Sequence, residues 1–117
     1  MAVPGALAVF TQMLRSDVER ANAINWRSLC KNAQGHVAEL MSYTQLTPET
    51  AQACDNAVKR CCEYADMIGD EGLLHKPDHP ASKQTRERAL MAIAALEYQL
   101  QDAEPSEKVR ILAIPWE

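Results

Sequence analysis

Aromatic side chains are scarce in this chain of 117 residues, which has one Phe, two Trp and three Tyr. Its core must therefore be built from small and aliphatic groups, and β-branched strand formers are too few to support a sheet. Eighteen Ala point to helix instead, because alanine is the strongest helix former and lets helices approach closely. No window reaches the roughly eighteen apolar residues of a membrane-spanning helix. Basic charge is not in excess: the net charge is −4 with a pI ≈ 5.4. That balance disfavours nucleic acid and acidic membrane surfaces as partners. Missing too are a C-x-x-C pair, the zinc spacings, G-x-S-x-G, a Gly-rich phosphate loop and any Cys/His pairing. No catalytic, cofactor or metal set is assigned.

The length fits one domain, residues 1–117, able to bury about two thirds of its unfolded surface without staples. The apolar start, Met1 to Phe10, has no Lys or Arg before Arg15 and so lacks the positive stretch of a secretory signal. Cys30, Cys54, Cys61 and Cys62 read as reduced, buried small hydrophobes. On one helix, Cys54 and Cys61 stand about 10 Å apart along the axis, too far for a disulfide. Both arguments lead to a cytoplasmic expectation.

The fold class expected is an all-α, three-to-four-helix up-down bundle with a long first helix and a short C-terminal tail. Leu7, Phe10, Leu14, Val18, Ala21, Trp26, Leu29 or Cys30, Ala33, Val37 and Leu40 form a stripe at three-to-four spacing. A capping-box pattern at Ser16–Glu19 and the helix-stopping Gly35 could interrupt it. Because the apolar period runs through both, the pattern favours one helix of roughly forty residues, kinked near Asn32–His36; the competing reading is two shorter helices. Thr47, Pro48 and Glu49 start the next helix through a cap, a favoured first-turn proline and a dipole-matched acid. It runs to about Ile68 on a stripe of Ala51, Cys54, Val58, Cys61, Ala65 and Ile68. Pro80 opens a further helix to about Ala103, with Ala89, Ile93, Leu96, Leu100 and Ala103 inward and Leu90 and Met91 at the margins. The tail holds Ile111, Leu112, Ile114 and Trp116, which can seal the bundle or anchor a partner.

If the first helix is continuous, two shorter helices cover only its C-terminal half. Leu7, Phe10, Met13, Leu14 and Val18 would then project uncovered, unless the loop or tail folds back on them. Burying each large aliphatic group is worth about 1.5–3 kcal/mol. These residues, with Trp116, form the expected interface. The function expected is a non-catalytic protein-interaction module acting as a homodimer, with a protein partner and no cofactor. Small acidic helical domains of this kind suit adaptors, regulators or inhibitors carried by bacteria or their viruses, by fold analogy alone.

The alternative is a ligand-binding bundle or a metal- or anion-dependent enzyme. His75, His79, Lys83, Arg86 and Arg88, with Lys76, gather positive charge around the start of the Pro80 helix, where free N–H groups favour anions. Asp78 and Glu87 dilute the cluster, and Pro77 turns His75 and His79 into loop residues, against a helical metal pair. His36 and Glu39 share a helix face, but a di-iron bundle requires the reverse order and its duplication.

Overall fold

Prolines and asparagine side chains mark most of the helix boundaries. The computed structural model describes residues 2–69 and 79–117. Among them lie five helices: α1 (Gly5–Arg20), α2 (Trp26–Tyr43), α3 (Pro48–Gly69), α4 (Pro80–Leu100) and α5 (Glu107–Ile111). No helix of the described residues is long and apolar enough to cross a membrane.

The expected long first helix is two helices, and the break falls at residues 21–25 rather than near Gly35. Asn22 Oδ1 accepts from the Ile24 and Asn25 amides at 2.8 and 3.0 Å, while Asn25 Oδ1 accepts from the Asn22 amide at 2.8 Å. Asn25 Nδ2 also donates to the Arg20 carbonyl at 3.1 Å. Two short amide side chains thus take over the backbone bonds that would have carried the helix onward. Ser16–Glu19 lies inside α1 and caps nothing, and Gly35 sits in mid-α2. The apolar period survives the break because each helix buries its own face.

Neighbouring helices run antiparallel. Phe10 meets Tyr43 edge-on at 5.4 Å between ring centroids, and His36 Nε2 lies 3.1 Å from Asp17 Oδ2. Cys30 near the start of α2 is bonded to Cys62 near the end of α3. The first turns of α3 flank the last turns of α4, where Glu49, Gln52 and Asn56 share a groove with Ala95 and Gln99. Arg15 of α1 pairs with Glu97 of α4, so α1 packs against both α2 and α4. The body is elongated, 50 × 22 × 20 Å.

This folding-back overturns the expectation of an uncovered N-terminal helix. Leu7, Leu14 and Val18 are fully buried in one core with Leu40, Cys54, Cys61, Tyr64, Ile93, Leu96 and Leu100. The reason is connectivity: once the chain reverses at Asn22–Asn25, α1 lies alongside its own bundle instead of extending past it.

The tail closes the end of the bundle where α1 begins. Ser106 gives its amide to the Tyr43 carbonyl (2.9 Å) and its hydroxyl to the Ser42 carbonyl (2.8 Å), satisfying acceptors that the end of α2 leaves open. Thr44 Oγ1 donates to the Glu104 carbonyl at 2.9 Å. Val109 is buried, and α5 stops in a reversal in which Ile114 N donates to Val109 O and Ala113 N to Arg110 O. That pairing requires a left-handed residue, and Ala113 takes it at φ 51. The reversal returns Trp116 to α1, where its carbonyl accepts from the Ala6 amide at 2.9 Å. A Cβ on Gly5 would stand 3.0 Å from the Glu117 backbone, so glycine there lets the tail approach closely.

The expectation of four reduced cysteines is corrected as well. Cys30 and Cys62 form a disulfide with Cα atoms 4.5 Å apart, whereas Cys54 and Cys61 are free and buried. Spacing along one helix ruled out Cys54–Cys61; the bond that exists spans two helices, which only their antiparallel packing brings together.

Candidate functional site: the outer face of α4

Helix α4 starts at Pro80, a residue preorganised for a first turn, and His79 caps it by accepting from the Ala81 amide through Nδ1 at 3.1 Å. Its inner face buries Ala89, Ala92, Ile93, Leu96 and Leu100. The small residues among these let α3 lie close. An ordinary surface helix would then be polar on the opposite side. Here that side carries Met91, Ala94, Ala95 and Tyr98, at offsets of three, four and seven from Met91. All four are exposed, Met91 by 70% and Tyr98 by 71%. The stripe covers two turns without a charge. Arg88 and Gln101 or Asp102 follow at its ends and are polar.

Of the other large exposed hydrophobic groups, Ile24, Leu46, Ile111 and Leu112 lie on loops or at α5, while Val9 and Met13 share a face of α1 but are less exposed, at 48% and 41%, than Met91 and Tyr98. Isolated groups of that kind are normal on a soluble surface; a contiguous run is the informative case. Beside the stripe, Glu49, Gln52, Ala53 and Asn56 of α3 form with Ala95 and Gln99 a shallow groove of about 340 Å3. A larger cleft of about 820 Å3 lies at the end closed by the tail, between Val3, Pro4, Ala103, Pro105 and Trp116 with Asp102 and Glu104 at its edge.

The interface residues expected from sequence are placed differently. Leu7, Leu14 and Val18 cannot reach a partner without unfolding the core. Phe10 is half-buried against Tyr43, Trp116 is half-buried against the start of α1, and Met13 is 41% exposed. Sequence reasoning set Met91 at the margin of the buried face and overlooked Tyr98. The signal was available: Met91 and Tyr98 stand seven apart with two alanines between them.

The residues expected at the anion site lie only partly within the described residues. His75 lies outside the described residues. Lys83, Arg86 and Arg88 are on α4; Lys83 and Arg86, three apart, share a face, whereas Arg88, two beyond Arg86, is turned away from it. Lys83 and Arg88 are exposed, whereas Arg86 hydrogen-bonds the buried Tyr64 hydroxyl. Burial raises the Tyr64 pKa, and Arg86 opposes that rise through its charge and its hydrogen bond. His36 turns to Asp17 rather than to Glu39. Among the described residues no three His, Cys, Asp or Glu side chains converge to hold a metal ion.

The two free thiols are unsuited to reaction at neutral pH. Burial, assisted by the nearby Asp17 charge, pushes Cys61 up to about 12; burial with Asp55 pushes Cys54 up to about 11. A thiol must ionise to act as a nucleophile, so both serve as core packing. Compared with known proteins, the chain matches no protein-family model, no curated protein and no solved structure.

Proposed function

We propose that this protein is a non-catalytic interaction module, of the adaptor, regulator or inhibitor kind, that docks through the outer face of α4 rather than through α1. The observation supporting this is a helix that is apolar on two opposite sides, of which the bundle uses only one. The fold gains nothing from exposing Met91 and Tyr98. Covering them would release apolar surface from water, at about 25 cal/mol per Å2. The alanines between them leave room for a partner helix to approach closely, and the flanking Arg88 and Asp102 supply polar edges around an apolar centre. The Cys30–Cys62 bond argues for a compartment that keeps disulfides oxidised, and weighs against the cytoplasmic expectation.

The test is affinity capture from the native host with the chain as bait, compared with the Met91→Asp/Tyr98→Asp double variant. Both side chains are exposed, so helicity and melting should persist while association is lost. Full association by the variant would refute the assignment of this face.

A further inference from the structure

We infer that the occupant of this face is a second copy of the chain, packed α4 against α4 in antiparallel orientation about a two-fold axis at Ala94 and Ala95. This inference rests on the outer face of α4 being a docking surface. The argument is self-complementarity. A two-fold contact pairs a patch with itself, so residues equidistant from the axis must suit each other. With the axis between residues 94 and 95, Met91 of one copy meets Tyr98 of the other, and a thioether against an aromatic ring is favourable. Ala94 faces Ala94 and Ala95 faces Ala95, small groups where the helices come closest. Arg88 arrives beside Asp102, opposite charges on the same side of the dyad, and symmetry makes the pair twice. Neither side chain forms an ion pair within the described residues. A parallel arrangement would set Met91 on Met91 and Arg88 on Arg88, placing like charges together. A contact one helix wide falls in the class below about 1,200 Å2, which implies a reversible dimer.

Sedimentation equilibrium on the full chain from micromolar to millimolar concentration measures the association. A monomer–dimer equilibrium is expected, weakened by at least about thirtyfold in Tyr98→Asp, as for a central aromatic anchor. Asp102→Arg should weaken it by roughly three- to tenfold, the scale of two exposed ion pairs. The Arg88→Asp/Asp102→Arg double swap should restore it. Geometry has a separate readout that disturbs the fold little. Ala95→Cys places thiols within about 2 Å of each other along the axis and should cross-link under mild oxidation. Met91→Cys separates them by about 10 Å and should not. A wild-type monomer at every concentration, a dimer indifferent to Tyr98→Asp, or equal cross-linking by both cysteine variants would overturn the inference. Failure of the broader reading is distinguishable. A monomer whose capture of a host protein is lost in Met91→Asp/Tyr98→Asp sinks only the second copy. A monomer whose capture is unchanged sinks both.

Discussion

Removing the Cys30–Cys62 bond should cost this protein a large share of its stability. The bond closes a loop of sequence separation 32. In the chain-entropy account, a cross-link of that span removes about 12 cal/mol/K from the unfolded ensemble, or about 3.7 kcal/mol at 25 °C. For a domain of this length, unfolding entropy near the midpoint is about 0.25 kcal/mol/K, so the expected fall in Tm is about 15 °C. The loss should also be local. Asp17 meets His36 and Phe10 meets Tyr43, so α1 lies along the C-terminal half of α2 and leaves its first two turns to α3. Those turns are held by the disulfide and by Trp26 against Gly69. The assay is thermal denaturation followed by circular dichroism, with and without reductant, and on Cys30→Ser/Cys62→Ser. Both cysteines are only half-buried, so the replacements add little cost of their own. Hydrogen exchange should show protection lost first at residues 26–33. A Tm change below about 3 °C would refute the reasoning, since it leaves under 1 kcal/mol for the cross-link.

The remaining predictions can be checked on the same preparation. A thiol assay should count none in the native protein, two on unfolding and four after reduction. Cys54 and Cys61 have raised folded pKa values, so their contribution is complete below the ordinary thiol value of 9.0 and is lost as pH rises towards about 11 and 12; stability measured against pH should fall across that window, and a flat profile would contradict their burial. Gly69→Ala puts a Cβ 2.3 Å from the Trp26 ring and should cost about 1–3 kcal/mol. Gly35→Ala meets nothing within 4 Å and should stabilise α2 by about 0.5–1 kcal/mol in chemical denaturation. Leu14→Ala, from a fully buried site, should cost about 2–5 kcal/mol yet leave association through α4 intact. Loss of association in a still-folded Leu14→Ala protein would return the interface to α1.

Local chemistry made much of the helical plan legible. Thr47 caps α3 as its position suggests, with Oγ1 accepting from the Thr50 amide at 3.1 Å, and Pro80 opens α4. The Asn22–Asn25 break was also a local signal, but the apolar period running across it concealed it. Periodicity reports which residues face a core, not whether the chain between them is straight.

Helical character, the starts of α3 and α4 and most of their inward positions follow from local chemistry, because capping and side-chain spacing act within a few residues; the buried Tyr64 of α3 lies outside the expected stripe. Packing between helices set the Cys30–Cys62 bond and the burial of Leu7, Leu14 and Val18. It also left the second apolar side of α4 exposed. Each of these depends on which helix lies beside which, and a single turn at Asn22–Asn25 redirected α1 onto its own bundle and so changed which surface remains for a partner.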